Sequence, residues 1–398
     1  MRELSHRPLV LAGLLCCAAA QTPAPAIADG PLVCFTVGRG EGKDRENVHF
    51  VANVDGAAAP REFFRSGDSA RVLQRLDRDH LLVASFGLPY ALLVVDLGAG
   101  TRRELAAGAP YGFVAVRGDD VLHLGDLLAQ DDYFYAAPWR APGERRRLAD
   151  ARFKRVPLVQ GNLAVAVTKD NEVWIVSLAR AQGRRLWTAP PGVTDLRLSL
   201  SPAGQRLAIG CVDNGRGRLC VADTSTGELV RTVADLPIQV SSVSSSTPVL
   251  EVGWRDDSHV VCSETRGDVQ GLRGSFVFVT RDLATGDVTD ETVYGDLGLC
   301  HEAPPVPGAV QKSRPRFAVA VEGGRAVLRA RDEPEPLASI ERDIQQYEDL
   351  CVSRDGSAAT ARLGDDRRRL VLFTAANTAP RELAKEWAYD ITWLPAAK

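Results

Sequence analysis

A short turn recurs along this chain, and its spacing restricts the possible fold more than any other feature. An apolar, β-branched run ends in Asp223-Thr224-Ser225-Thr226-Gly227, and a second such run follows. Asp282-Leu283-Ala284-Thr285-Gly286 repeats the turn, while Asp96-Leu97-Gly98-Ala99-Gly100 and Asn53-Val54-Asp55-Gly56 are looser copies. A second turn type, Ser201-Pro202-Ala203-Gly204-Gln205, returns as Ser353-Arg354-Asp355-Gly356-Ser357 and Arg255-Asp256-Asp257-Ser258-His259, and less cleanly as Leu76-Asp77-Arg78-Asp79-His80. Between the turns lie short alternating or wholly apolar runs with almost no helical periodicity, the pattern of an all-β repeat protein.

One unit can be followed from end to end. Leu196–Leu200 reads as an inner strand, Arg206–Gly210 as a second, Gly217–Ala222 as a third and Glu228–Val233 as a fourth. Outer strands of the same kind are predicted at Pro60–Phe64, Thr101–Leu105, Glu144–Leu148, Arg184–Trp187, Asp287–Val293, Pro336–Ile340 and Arg381–Leu383. The repeat is then about forty to fifty residues, the length of a propeller blade. The chain opens in the middle of a blade, with Pro31–Val37 and Asn47–Val54 as second and third strands. It ends on Tyr389-Asp390-Ile391-Thr392-Trp393-Leu394, which supplies the missing inner one. The expected fold is all-β: a single closed β-propeller of about eight four-stranded blades, its C-terminal strand completing the first blade and removing the exposed edges. Seven is the alternative, because Cys300–Arg316 is Pro-rich and forms a poor inner strand.

The N-terminus reads as a leader. Arg2 and Arg7 precede the apolar run Leu9–Ala20, and Ala18-Ala19-Ala20, Ala24-Pro25-Ala26 and Ala26-Ile27-Ala28 are small-residue cleavage sites. Residues 1–28 are therefore expected to be a signal peptide cut near Ala20 or Ala28, with 29–398 as the propeller domain. Cys16 and Cys17 raise the rival reading of a lipoprotein anchor, but Leu15 or Cys16 stands where such a signal wants a small residue. No later run has the ~20 apolar residues of a membrane helix. The expected location is the periplasm or outside the cell. A net charge of −3, with both signs interspersed, gives no basic stripe for nucleic acid.

Export permits disulfides. Cys211 and Cys220 flank a hairpin tip, and a turn centred on Gly215-Arg216 would set them directly opposite one another. Cys300 and Cys351 open comparable segments of neighbouring repeats and form a second candidate pair. No CxxC or Cys/His spacing suggests a metal, and no cofactor is expected, although a divalent ion is compatible with the chain.

Other candidates have simpler explanations. Gly38–Glu46 resembles a phosphate loop but has Val37 where a Gly is needed and nothing hydroxylic after Lys43, so it reads as a hairpin loop. His80 and His259 occupy matching repeat positions, where exposed polar residues are expected, and no nucleophile elbow accompanies any histidine. The pairs Asp119-Asp120, Asp131-Asp132, Asp256-Asp257 and Asp365-Asp366 lack calcium-loop spacing and read as turns. Tyr133-Phe134-Tyr135 with Trp139 reads as core between blades. Two segments break the rhythm: Ser241–Thr247, and Gly267–Gly274 within one hairpin. Insertions of this kind often carry binding specificity, which makes Ser244, Ser245, Asp268, Gln270 and Arg273 the candidate binding residues; no catalytic residue stands out.

Ser201-Pro202-Ala203-Gly204, the near match Ser353-Arg354-Asp355-Gly356 and the Asp-x-x-Thr-Gly turns at Asp223 and Asp282 resemble the turn set of exported TolB-like and WD-repeat-like β-propellers. The likeness spans the mature chain in rhythm and about three blades in residues. It implies a non-enzymatic scaffold, monomeric, that gathers a protein or glycan partner on its rim loops and pore mouth. The alternatives are a lyase, hydrolase or lactonase with a metal-assisted site in the central channel, or a structural part of an envelope complex. The fold by itself licenses none of these activities.

Overall fold

The computed structural model describes residues 27, 29–40, 46–86, 90–107, 113–125, 131–140, 145–154, 157–213, 216–236, 252–266, 275–296, 316–322, 325–331, 333–341, 350–353, 356–363 and 368–397. Every regular element among them is a strand. The strands follow one another as β1 (Leu32–Arg39), β2 (Glu46–Asn53) and β3 (Arg61–Ser66), then β4 (Ala70–Arg75), β5 (His80–Ser85), β6 (Ala91–Asp96) and β7 (Arg102–Ala107). Next come β8 (Phe113–Arg117), β9 (Asp120–Leu124), β10 (Phe134–Pro138) and β11 (Arg146–Arg147), and β12 (Leu158–Gln160), β13 (Leu163–Val167), β14 (Glu172–Ser177) and β15 (Gln182–Thr188). β16 (Val193–Leu200), β17 (Arg206–Asp213), β18 (Arg216–Asp223) and β19 (Leu229–Leu236) precede β20 (Val252–Asp256), β21 (His259–Arg266), β22 (Ser275–Asp282) and β23 (Val288–Asp296). β24 (Phe317–Glu322), β25 (Arg325–Ala330) and β26 (Ala338–Glu341) lead to β27 (Leu350–Val352), β28 (Ala358–Leu363), β29 (Arg369–Thr374), β30 (Asn377–Ala384) and finally β31 (Ala388–Leu394).

These strands form eight antiparallel sheets among the described residues, each a meander in chain order except the first, whose order is β3-β2-β1-β31. The seventh, β24-β25-β26, has three described strands; the others have four. The C-terminal strand therefore completes the first sheet, as expected, with Leu32 opposite Leu394 and Val37 opposite Ala388.

Among the described residues, the first five sheets and the last are covered on both faces by their neighbours, which explains why second and third strands are apolar without alternation: Leu81, Leu82, Val83 and Ala84 of β5 are all buried. Apolar clusters lie between successive sheets. One joins sheets one and two (Cys34, Val51, Val83, Val95), another four and five (Val165, Ile175, Leu196, Ile209), and another seven and eight (Phe317, Leu328, Val371, Phe373). A further cluster packs Val33, Phe35 and Val37 of the first sheet against Leu370, Leu372 and Leu383 of the last. Burying each such side chain stabilises the array by about 1.5–3 kcal/mol.

Because neighbouring strands are antiparallel, first-to-second and third-to-fourth turns share one rim, here termed lower, and the remaining connections share the upper rim. Bonds between turns confirm the pairing: Leu97 N donates to Asp79 O at 2.7 Å, Thr224 N to Gln205 O at 3.0 Å, and Leu283 N to Ser258 O at 2.8 Å. No helix of the described residues is long and apolar enough to cross a membrane.

The register corrects the first disulfide expectation. Cys211 pairs with Arg218 and Cys220 with Ile209, so the cysteines are diagonal rather than opposed, and neither is in a disulfide. The pairing of Asp213 with Arg216 leaves Asn214-Gly215 as the two-residue connection, and Asn-Gly is the stronger hairpin signal than the Gly-Arg chosen from the cysteines. Of the second pair, Cys351 on β27, opposite Thr360, is in no disulfide, and Cys300 lies outside the described residues.

Candidate functional site

The lower rim is locked by its own side chains. Asp96 Oδ1 accepts from Gly98 N and Ala99 N at 2.7 and 2.8 Å. Asp223 Oδ1 accepts from Ser225 N and Thr226 N at 2.7 and 3.0 Å, and Asp282 Oδ1 from Ala284 N and Thr285 N, both at 2.8 Å. Each turn closes on a glycine in the left-handed region, Gly100, Gly227 and Gly286 at φ 66°, 81° and 84°. At Gly227 the need is also steric, since a Cβ would meet Leu186 O at 2.2 Å. Hydrogen bonds from Ser225 and the backbone of Thr226 hold the Asp223 carboxyl below its usual range.

A second set of bonds joins sheet to sheet. Five outer-strand arginines reach the main-chain carbonyls of the next sheet's lower turn. Arg61 donates to Leu97 O, Arg103 to Trp139 O, Arg184 to Thr224 O and, at 2.8 Å, to Ser225 O. Arg231 donates to Leu283 O, Ala284 O and Thr285 O, and Arg381 of the last sheet donates to Asn53 O of the first at 2.6 Å. A guanidinium suits this task because its fixed fork of donors spans several carbonyls.

The histidines fall into this framework. His80 Nδ1 is 2.8 Å from Asp77 Oδ1, and its Nε2 is 3.8 Å from Asp96 Oδ2; His259 repeats the arrangement with Asp256 at 2.9 Å and Asp282 at 3.8 Å. Both are partly buried between the carboxylates of the two lower turns instead of standing exposed. His49 is buried on β2. Thr36 Oγ1 lies 2.8 Å from Nδ1, Ser66 Oγ 3.0 Å from Nε2, and Ser66 Oγ donates to Asp68 O at 2.5 Å. With its one proton turned to Asp68, Ser66 accepts from Nε2–H, which directs the chain of hydrogen bonds away from an activated serine. Burial lowers the His49 pKa to about 4.

Of the aromatic cluster, Phe134 and Trp139 are core, at 0 % and 2 % exposure. Tyr133 and Tyr135 are half-buried beneath Arg147 and Arg145, which stack at 3.4 and 4.2 Å from the ring centroids. Asp131 pairs with Arg145 and accepts from Tyr135 Oη, while the buried Asp132 pairs with Lys169. These acids are therefore structural. A lower-rim crevice of ≈ 400 Å³ between Ser201, Gln205, Arg206, Asp256, Asp257 and Ser258 is also occupied with internal bonds: Asp257 accepts from Ala203 N, and Arg206 donates to Asp257 O. Among the described residues no three His, Cys, Asp or Glu side chains are grouped to hold a metal ion.

The upper rim differs. Its connections include 125–133, 148–157, 237–251, 267–274 and 342–349, whereas no lower-rim connection between described strands exceeds the length of 54–60, 139–145 or 331–337. Three of the five link sheets five to eight or lie within them. Ser244, Ser245, Asp268, Gln270 and Arg273 lie outside the described residues. The strands on either side are described: β19 and β20 bound the first segment, β21 and β22 the second, all at their upper ends. Beside them the Asp213–Arg218 ion pair, at 2.6 Å, ties the upper ends of β17 and β18. Trp387, exposed by 40 % and stacked on Arg362, and Leu158, exposed by 40 %, are apolar points on the same rim; Leu229 and Val288 are their lower-rim counterparts. Asp390 on the inner strand β31 has φ 51°, at the bulge where β31 changes register against β1. Sequence reading missed the arginines, although each stands six to eight residues beyond the start of its turn.

No family model matches the chain, and no curated protein matches it. Solved structures do. A Bacteroides ovatus protein provisionally named a dipeptidyl aminopeptidase IV is 11 % identical, with a TM-score of 0.52 over 93 % of this chain and 60 % of its own. NirN, a dihydro-heme d1 dehydrogenase in complex with DHE, is 16 % identical, with a TM-score of 0.49 over 90 % and 74 %. TolB from Acinetobacter baumannii is 13 % identical, with a TM-score of 0.35 over 66 % and 63 %. The chain thus spans less than two thirds of the length of TolB and of the Bacteroides protein. At 11 % identity the likeness to the Bacteroides protein is one of architecture, and it agrees with the sheets, rims and packing described above: the chain is a β-propeller.

Proposed function

We propose that this protein is an exported, monomeric binding scaffold that holds a protein or glycan partner on its upper rim and channel mouth, in the periplasm or outside the cell. The observation that carries this reading is the contrast between the rims. Lower turns are short, and their polar atoms are spent on one another through aspartate and arginine bonds. Five long connections belong to the upper rim, three of them around sheets five to eight. A rigid array that varies only its connections presents binding surface there at little cost to stability.

The test is a crosslinking pull-down from the native envelope fraction with tagged mature protein, run beside a form with 241–247 and 267–274 trimmed. A specific partner captured by the first form and lost with the second is the expected result. A partner that survives trimming moves the working surface elsewhere. A protein that captures nothing yet purifies with stoichiometric divalent metal points to an enzyme of the central channel.

A further inference from the structure

We propose that Trp387, on the upper rim where the last sheet meets the first, is a stacking platform for a neutral saccharide. This rests on the upper-rim scaffold reading and narrows its partner from a protein or glycan to a glycan. Trp387 lies in the connection from β30 to β31 and is 40 % exposed. The Arg362 guanidinium lies over its ring, 4.4 Å from the centroid. Arg362 is itself only 3 % exposed and donates to Ala388 O. A buried guanidinium therefore covers one face of the indole and is tied to the backbone of the next residue. That contact fixes the ring and leaves its exposed area on the other face and the edge. Glu386, the preceding residue, pairs with Arg39 of β1 at 3.4 Å, and both side chains are half-exposed.

A pyranose ring matches this corner in shape and in polarity. Its C–H face packs on an electron-rich aromatic face, and its edge carries hydroxyls that donate and accept. Glu386 accepts from such a hydroxyl and Arg39 donates to one. Because the indole is already held, little ordering is lost on binding. Other guests fit less well. A protein partner needs about 800 Å² of surface a side, with an apolar centre. Among the described residues, the large apolar side chains exposed on this rim are Trp387 and Leu158, one beside the first sheet and the other in the fourth, so they form no common patch. A cationic ligand would meet a ring that already carries a guanidinium, with no second ring to complete a cage. An anionic one would meet the Glu386 carboxylate.

Titration of the purified full chain with cellotetraose, maltotetraose and N-acetylated chitotetraose, followed by calorimetry and tryptophan fluorescence, tests this. A tetrasaccharide of uronic acid and trimethyllysine serve as the anionic and cationic comparisons. At least one neutral probe is expected to bind, Trp387→Ala weakening it by about tenfold or more and Trp387→Phe keeping it within about threefold. Glu386→Gln should weaken it by about two- to tenfold. Trp387→Ala should melt within about 4 °C of the parent, which makes the loss local. No binding of a neutral probe at millimolar concentration, binding that Trp387→Ala leaves intact, or preference for either charged comparison overturns the assignment. If every probe fails while the envelope pull-down still captures a protein, the glycan assignment falls and the scaffold reading stands. If a probe binds at Trp387 in a chain found outside the envelope fraction, the site stands and the export reading falls.

Discussion

His49 is 2 % exposed, and desolvation lowers its pKa from 6.5 to about 4. In the unfolded chain it regains its ordinary value, so between about pH 6.5 and 4 the unfolded state binds the additional proton. The contribution to stability is complete above the unfolded pKa and is lost as pH falls through the folded one. The shift corresponds to about 3 kcal/mol at most. Melting followed from pH 7 to pH 4 should show this loss, and His49→Gln should flatten that part of the profile; an unchanged slope would mean another group sets it. At this scale the sequence was only partly readable. That His80 and His259 are repeat-position residues follows from the pattern, but the aspartates that bracket each come from two separate turns, joined only by folding. Likewise Cys211 and Cys220 suggested a bridge because they flank a hairpin, whereas the register sets Asp213 opposite Arg216 and so moves the two cysteines onto a diagonal.

The outer-strand arginines act at the level of the element. Arg231 holds three carbonyls of the sixth sheet's turn, and Arg231→Met would leave those acceptors to water. The expected cost is about 1–2 kcal/mol, below the range for fully buried charged hydrogen bonds because the turn is half-exposed. Arg231→Lys should recover only part of it, since a point charge cannot span the three acceptors. Arg255→Met is the control: its ion pair with Asp290, at 3.5 Å and with both side chains 53 % exposed, should be worth little. Urea midpoints of the three variants check this, and equal shifts would deny the arginines a joining role. Strand positions were legible because turn residues announce them; of the predicted outer strand Glu144–Leu148, Arg146–Arg147 is strand β11. The joining role was not legible, because a carbonyl acceptor leaves no trace in residue type.

Across the whole molecule, the last sheet packs on the first through Leu370, Leu372 and Val33, and Arg381 donates across the same boundary. Deleting 386–398 removes β31 and leaves β1 as an unpaired edge beneath an opened apolar cluster. The shortened chain is expected to aggregate or to form oligomers by edge pairing, and a monomeric, cooperatively melting product on light scattering and calorimetry would contradict this. That overall arrangement was legible in the strand pattern, with three strands of the first sheet within 32–66 and the fourth at 388–394. The working surface was not, because long connections advertise only their length, and what they recognise depends on side chains that no repeat constrains. The shared first sheet also orders events in time. Its inner strand β31 is made after every other described strand, so β1 waits unpaired on that side until then, and a chain broken off before β31 exposes its defect to proteases at once.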